Sequence, residues 1–419
     1  MNILVIGSGG REHAVVKALS ESPSLPKIYC APGNAGIASQ ATLLKLDVKK
    51  HDEVSKVCAE NKIDLVFIGP EDPLVDGLAD SLRDNGILVF GPSKAAARLE
   101  GSKIFAKEFM KKAGVPTAKA VTVSTVEATM KSAQNFSAPY ILKADGLAAG
   151  KGVFICKTEA ELRLAAQHLF ELKSLGRAGE TALLEQNLPG YELSFLLLTD
   201  GESFSALPLA QDHKRLLNED KGPNTGGMGT VAPMKISEEL YQKIISKVVE
   251  PSVRQIKKEN FIFRGVLFIG VMVVDNEPYV LEYNVRFGDP ETQVILPLIE
   301  NDLAQVLYDV SNCQLQPLKF SHKTAFCIVN AAEGYPDKPK RNVPVRLPDL
   351  KNDSYLSSYI LHAGTALDER GHLVSNGGRV LNIVAVADSR EQARENAYKL
   401  NELVEMQGRQ FRSDIGGRI

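Results

Sequence analysis

Ile3-Leu4-Val5-Ile6 runs without a polar side chain straight into Gly7-Ser8-Gly9-Gly10, and a helical pattern follows from about Arg11 to Glu21. A strand that ends on glycines and turns at once into a helix opens a parallel α/β sheet, because the helix carries the chain back before the next strand pairs. The pattern repeats. Short apolar strands are predicted over residues 27–30, 64–68 and 87–90, separated by polar helices over 52–60 and 73–85. The same glycines constrain chemistry, since a helix N-terminus behind a strand favours an anion. A dinucleotide fingerprint would need glycine where Glu12 stands. It would also need an acidic residue after the second strand, where the chain has Ala31-Pro32-Gly33-Asn34. The motif therefore points to a phosphorylated ligand and away from a nicotinamide dinucleotide. A tight turn with no ligand is the plain alternative.

A helix is predicted over 98–113, closed by Pro116, and the pattern then changes to strands paired through short loops. Strands over 140–145 and 152–156 flank a glycine loop, those over 193–198 and 203–207 flank Asp200-Gly201, and those over 265–274 and 278–285 flank Asp275-Asn276. With helices over 159–172 and 238–258, this is a mainly antiparallel α+β unit. From about Lys319 a tail carries strands over 323–329 and 380–387 and a helix over 390–403. Residues 214–229 are polar and glycine-rich and read as a long loop.

The charge balance narrows the function. With 49 Lys+Arg against 51 Asp+Glu the formal net charge is -2, so no basic surface advertises nucleic acid. An anionic substrate must then be held by local cations. The longest apolar stretch, residues 266–274, is broken by Gly270 and is too short for a membrane helix. The N-terminal run has no basic segment before it and is not expected to be a signal peptide. Five scattered cysteines without a CxxC pair argue for a reducing compartment and against a cysteine zinc site. A cytoplasmic protein without nucleic-acid or membrane partners is expected.

Three further segments carry chemistry. Residues 144–152, Ala144-Asp145-Gly146-Leu147-Ala148-Ala149-Gly150-Lys151-Gly152, are one residue short of a P-loop and have glycine in place of its Ser/Thr. A glycine loop at a hairpin tip can still fold over a polyphosphate, with Lys143 and Lys151 supplying point charges. A mobile hairpin with solvated lysines is the alternative. In residues 280–287 a period of two puts Glu282, Asn284 and Arg286 on one strand face, a plausible surface for Mg²⁺ and an anion. The polar turn Gly288-Asp289-Pro290-Glu291 follows at once, which weakens the reading of a merely solvated face. Gln211-Asp212-His213-Lys214-Arg215 leads into Gly222-Pro223-Asn224-Thr225-Gly226-Gly227-Met228-Gly229, a run of charge followed by exposed backbone. His213 is assigned no catalytic role.

Taken together, these segments resemble the glycinamide ribonucleotide synthetase (phosphoribosylamine–glycine ligase) family, ATP-grasp ligases of purine biosynthesis. The matching strings are VIGSGGREHA (5–14), APGNAG (31–36), GPEDPLVDG (69–77), FGPS (90–93), LEGSK (99–103) and LKADGLAAGKGV (142–153). They continue with QDHKR (211–215), GPNTGGMG (222–229), LEYNVRFGDPETQ (281–293), HAGT (362–365), NGGRVL (376–381) and FRSDIGGRI (411–419). The resemblance implies a Rossmann-like N-terminal domain over 1–100 and an ATP-grasp domain over 101–318, with 117–190 as its flap-bearing ATP subdomain. A small C-terminal α+β domain over 319–419 completes the chain. It implies ligation of glycine to 5-phosphoribosylamine with ATP, through a glycyl phosphate, with Mg²⁺ or Mn²⁺ as metal and a monomeric enzyme.

Carried over position by position, the resemblance places Lys103, Lys143, Gly150, Lys151 and Gly152 on ATP phosphates. Glu185 and Leu188 line the adenine pocket, partly through backbone groups, and Glu192 contacts the ribose. Glu282 and Asn284 are implied as metal ligands. Gly9, Gly10 and Asn34 meet the phosphoribosyl group, with Pro70 and Glu71 nearby. Asp212, Thr225, Gly226, Arg286 and Gly288 lie around glycine and the reacting amine, with Arg286, Lys143 and Asp212 as the catalytic set. Gln186 and Tyr191 stand where the family usually carries glutamates.

Overall fold

The computed structural model describes residues 1–148, 151–349 and 357–417 of the 419-residue chain. Strands Asn2–Gly7, Lys27–Pro32, Thr42–Leu43, Leu65–Ile68 and Leu88–Phe90 form one parallel sheet. Asn2–Gly7 lies at its centre, with Lys27–Pro32 on one side and Leu65–Ile68 on the other. Alternation along the central strands feeds two cores. Leu4, Ile6, Val66 and Ile68 enter one, and Ile3, Val5, Leu65 and Phe67 the other. Both faces are therefore covered, which is why these strands read as unbroken apolar runs. The strand order reverses beside Asn2–Gly7, and ligands of open α/β sheets bind at the carboxyl ends of the strands at such a reversal. Here that crevice lies between the turns after Gly7 and after Ile68.

Two helices are more broken than the sequence predicts, with consequences for the site. The helix expected over 73–85 is two, Glu71–Asp76 and Leu78–Asp84, joined at Gly77, whose φ of 100° suits glycine. The helix expected over 98–113 starts earlier and breaks at an extended Ser102, giving Lys94–Gly101 and Lys103–Ala113. Ser102 Oγ accepts the Phe105 N–H (3.1 Å) and donates to Asp145 (2.9 Å), and the Ile104 N–H donates to Asp145 Oδ1 (2.8 Å). The N-cap thus ties the start of the second helix, and Lys103, to the chain just beyond Lys143.

The middle of the chain builds two antiparallel four-stranded sheets. One orders Ala120–Val123, Ala182–Gln186, Tyr140–Ala144 and Val153–Cys156, and the other Phe204–Ala206, Tyr191–Thr199, Gly265–Val274 and Glu277–Asn284. The long helix expected over 238–258 widens into a π turn at Ile245–Val249. Pro251 supplies the reason, since it has no N–H for a regular bond one turn back.

A third, antiparallel sheet joins distant parts of the chain. Gln211–Asp212 and Gly229–Ala232 pair into Thr324–Ala331, Arg379–Ala387 and Ser358–His362. The last of these was not apparent in the sequence. Residues 214–229, expected as a long loop, contain a hairpin of Arg215–Leu217 with Lys221–Asn224. The polar segment is thereby framed by strands of the C-terminal sheet. Phe287 stacks against Phe67 and Phe90 of the parallel sheet, with ring centroids 6.1 and 6.2 Å apart. Such pairs stabilise by about 0.5–1.5 kcal/mol beyond their burial, and here they fix the end of the Glu282-bearing segment to the first sheet. No helix among the described residues is long and apolar enough to cross a membrane.

Candidate active site

A cavity of about 1200 Å³ runs from the crevice of the parallel sheet to the space between the two antiparallel sheets. Strand alternation sends Tyr283, Val285 and Phe287 into the core and turns Glu282, Asn284 and Arg286 to the cavity. A bulge at Leu281, left unpaired where Gly270 pairs with Glu282 and Val271 with Val280, immediately precedes this row. Burial alone would raise the Glu282 carboxyl, but Lys143, Lys214, Lys103 and Arg286 outweigh it and hold it below the usual carboxylate range. Glu282 and Asn284 offer one carboxylate and one amide oxygen. No cluster of three or more His, Cys, Asp or Glu that could hold a metal occurs among the described residues. That donor set fits a cation such as Mg²⁺, which binds through few protein oxygens and completes its shell with phosphates and water.

The lysines beside this strand form a cluster. The buried Glu185 carboxylate pairs with Lys143 (2.7 Å) and with Lys107 (3.1 Å). Lys107 also donates to Thr117 Oγ1 (2.7 Å) and the Ala118 carbonyl (2.9 Å). Burial lowers Lys103, whose Nζ donates to the Gly146 carbonyl (3.5 Å). Burial also works against charge on Lys143, but Glu185 overrides it and leaves Lys143 raised. Lys103, Lys107 and Lys143 all line the cavity, where they offer a polyphosphate charged donors. The Glu185 side chain is thus engaged with lysines. Leu188, Gly152 and Glu192 also line this end. Lys151 is exposed, and Gly150 lies outside the described residues.

Arg286 links this end to the other. Its Nη2 meets Glu100 (2.8 Å) and Asn284 Oδ1 (3.3 Å), its Nε faces Glu71 (3.3 Å), and its Nη1 donates to the Phe287 carbonyl (3.1 Å). The other oxygen of Glu100 accepts the Val285 N–H (2.8 Å). Burial pushes the Glu100 carboxyl up to about 7, with Arg286 opposing. Beyond Arg286, Asp212 is buried and its carboxyl is pushed up to about 7 by burial, with Lys214 opposing and Glu291 reinforcing. Lys214 bridges Asp212 (3.3 Å) and Glu192 (3.4 Å). Glu291, also buried, accepts from Ser194 Oγ (2.9 Å). The Thr225 hydroxyl donates to the Lys214 carbonyl (2.8 Å) and accepts the Gly227 N–H (3.0 Å), closing the turn around Gly226. A side chain at Gly288 would collide with the Glu291 carboxylate, so the backbone there approaches closely.

In the crevice of the parallel sheet, Glu12 reaches back to the start of its own helix, as the acidic half of a capping box does. Its Oε2 accepts the Gly9 N–H (2.6 Å) and its Oε1 pairs with Arg11 (2.6 Å), whose Nη1 donates to the Phe287 carbonyl (3.0 Å). Gly9, Pro70 and Glu71 line the cavity. Gly10 and Asn34 lie behind its wall. The Asn34 amide donates to the Ser8 and His362 carbonyls (2.9 and 3.0 Å), and its oxygen accepts the Gly36 and Ile37 N–H groups. It therefore shapes the glycine turn, with all of its hydrogen-bonding capacity engaged.

The structure adds Lys107, Glu100, Lys214, Glu291, Tyr335 and Arg379 to the cavity wall. Lys107 was readable, because it lies one helical turn beyond Lys103 and so shares its face. Tyr335 had no local signal, and Arg379 lies within the quoted string NGGRVL (376–381), which gave it no role.

Family models match the chain in three stretches. These are the Phosphoribosylglycinamide synthetase N domain over residues 1–100, its ATP-grasp (A) domain over 101–292 and its C domain over 325–418. A phosphoribosylamine–glycine ligase of Caldanaerobacter subterraneus is 40% identical over 99% of each chain. The crystal structure of phosphoribosylamine–glycine ligase from Thermotoga maritima superposes with a TM-score of 0.87 at 34% identity, covering 99% of this chain and 100% of that one. A biotin carboxylase domain from Hydrogenobacter thermophilus, with a TM-score of 0.74 at 18% identity, shares the fold.

Proposed function

The chain belongs to the phosphoribosylglycinamide synthetase family, and from that premise we propose how its residues divide the work of a phosphoribosylamine–glycine ligase. The reaction joins glycine to 5-phosphoribosylamine in purine biosynthesis, with ATP converted to ADP and phosphate through a glycyl phosphate. A carboxylate is a poor acyl donor because oxide is a poor leaving group. Transfer of the γ-phosphoryl group to a glycine carboxylate oxygen makes phosphate the leaving group instead. The main obstacle is the approach of two anions, and fixed cations lower it.

In this reading Lys103, Lys143, Lys151 and the glycines around Gly150–Gly152 hold the ATP phosphates, with Lys107 and Glu185 keeping Lys143 in place. Leu188 and the backbone near Glu185 receive the base, and Glu192 the ribose. Glu282 and Asn284 would hold the divalent cation that the ATP-grasp family uses, here Mg²⁺ or Mn²⁺. When bound, it neutralises phosphate charge and orients the γ-phosphoryl group. Arg286 stands between the phosphate end and Glu71, where the glycine carboxylate must pass from one reaction to the next. Asp212 offers the glycine ammonium a counter-charge, with Thr225, Gly226 and Gly288 shaping the wall. Gly9, Pro70 and Glu71 receive the phosphoribosyl group, and Gly10 and Asn34 support their turn from behind the wall. The neutral amine attacks the acyl carbon, the C–O bond to phosphate breaks, and the amine proton passes to solvent or a nearby carboxylate. A monomer in the cytoplasm, acting on small molecules without nucleic acid or membrane, completes the proposal.

The continuous cavity joining Lys143 and Glu282 to Asp212 and Glu71 supports this reading most directly, since both steps need one enclosure. Release of ADP that requires both glycine and freshly made phosphoribosylamine, with a product of glycinamide ribonucleotide mass, is the expected result. Turnover with bicarbonate in place of glycine would redirect the reading to a carboxylase.

A further inference from the structure

The Arg379 guanidinium lies at the meeting point of loops from separate parts of the chain. Its Nη1 donates to the carbonyls of Gly226 (2.6 Å) and Asp289 (2.6 Å), and its Nη2 pairs with Asp289 Oδ2 (3.2 Å). Gly226 is held from its other side too, because its N–H donates to Tyr335 Oη (2.9 Å). The Tyr335 ring lies over Gly378, where any side chain would strike it. Asp289 is in turn fixed by Gln293 Nε2 (2.7 Å), and its Oδ2 stands 3.3 Å from where a Cβ on Gly9 would be. Arg379 and Tyr335 both belong to the C-terminal part of the chain, and both line the cavity.

This geometry matters because the local bonds, from Thr225 within one turn and from Gln293 within the other, do not join the two loops to each other. Gly226 and Gly227 carry no side chains to pack, and Gly227 has a φ of 111°. Asp289 begins a turn whose backbone carbonyl would otherwise face a buried cavity wall. A planar guanidinium can reach two carbonyls and a carboxylate together, which an ammonium on a flexible stem cannot do with the same orientation. We propose that Arg379 and Tyr335 are positioning residues that set the acceptor end of the cavity, locking the Gly226 turn and the Asp289 turn against the Gly9 turn. The C-terminal sheet is then part of the site where glycine and the amine meet, while the ATP end, built from other strands, stands without it. The inference rests on the assignment of glycine and amine to that end.

The test uses the full-length enzyme with Tyr335→Phe, Arg379→Lys and Arg379→Ala. Each variant is measured for KM of glycine, of amine and of ATP, for direct Mg·ADP binding, and for thermal unfolding. Tyr335→Phe keeps the ring over Gly378 and removes only the oxygen, so it is expected to raise KM for glycine and amine by about 3–10-fold, the effect of one lost hydrogen bond. Arg379→Ala is expected to lower kcat/KM for both by about 100-fold or more, with Arg379→Lys recovering little, as for a lost charged network. Mg·ADP affinity stays within about 2-fold in all three. Equal losses at the ATP end would overturn the proposal by showing a general structural role. Folded variants with unchanged glycine and amine parameters would overturn it as well. Wild-type enzyme without glycine- and amine-dependent turnover would instead sink the functional reading, so the two failures are separable.

Discussion

The two ends of the cavity are built on different plans. The phosphate end is made by regular elements that lie close in the fold. Strand alternation aims Glu282 and Asn284, one helix face carries Lys103 and Lys107, and a strand pair places Lys143 beside Glu185. The acceptor end is made by turns. Gly9, Glu71, Gly226 and Asp289 come from distant segments and are tied by Glu12, Arg286 and Arg379. Regular elements position side chains through their own hydrogen-bond ladders. Turns need cross-links, and here those cross-links are mostly arginines spanning carbonyls and carboxylates. A site built by turns is thus more sensitive to single polar substitutions far from the reacting atoms.

The largest effect is expected at the phosphate end. Glu282→Ala removes the carboxylate offered to the metal and takes one negative charge from beside Lys103, Lys143 and Lys214. Glycine-dependent ADP release should fall by about 10³-fold, in the range seen for losing a transition-state electrostatic contact. A fall below about 10-fold would mean that strand alternation does not define the metal site. Next comes the bond between the ends. Glu100→Gln keeps the size of the side chain but weakens its hold on Arg286, and should lower kcat by about 10–100-fold with Mg·ADP affinity retained. Glu100 also has a stability signature. Its carboxyl is raised to about 7, mainly by burial, so its favourable contribution is complete below the unfolded value near 4.5 and is lost as pH rises through about 7. Denaturant unfolding of Glu100→Gln across that window should show less loss of stability with rising pH than wild type.

The turn at Gly9 and Asn34 offers a third contrast. The His362 N–H donates to His13 Nδ1 (2.7 Å), so His13 must be neutral to hold the C-terminal sheet against the Asn34 turn. Burial, with His362 and Lys17 nearby, lowers His13 to about 3, and burial lowers His362 to about 4. Depressed histidines favour the folded state above the unfolded value near 6.5, and that stability is lost as pH falls toward 3–4. His13→Asn keeps an acceptor but does not titrate, so its stability should decline less steeply between pH 6.5 and 4. An unchanged slope would remove His13 from the acid response. The smallest effect on catalysis is expected far from both ends. Asn401→Ala breaks the buried pair with Asn330 (2.7 Å) and should cost about 1–3 kcal/mol of stability with kcat unchanged.

The difference between the ends also explains what could be read from the sequence. The parallel sheet was legible because Ile3-Leu4-Val5-Ile6 ends on glycines, and the row of Glu282, Asn284 and Arg286 was legible because a strand has a period of two. Residues 214–229 were misread as a loop because polar residues and glycine hid a short hairpin that depends on the C-terminal sheet. Asn34 was expected at the phosphoribosyl group, yet its amide is fully engaged by Ser8, Gly36, Ile37 and His362, a fact that residue type cannot reveal. Ser102 was swallowed by a helical run although it is a good N-cap residue. Arg379, although it lies within NGGRVL, and Tyr335 could not be given a role because the turns they hold lie about 90 residues or more away in sequence.

Pre-steady-state ADP formation, with glycine present and the amine added or withheld, tests the central claim that one cavity carries both steps. A burst near one ADP per enzyme with glycine alone, turning to steady release when amine is added, is the predicted result, and Arg379→Ala should slow the glycine-dependent burst and lose the amine response. An ADP burst that never responds to the amine in the wild-type enzyme would contradict the account.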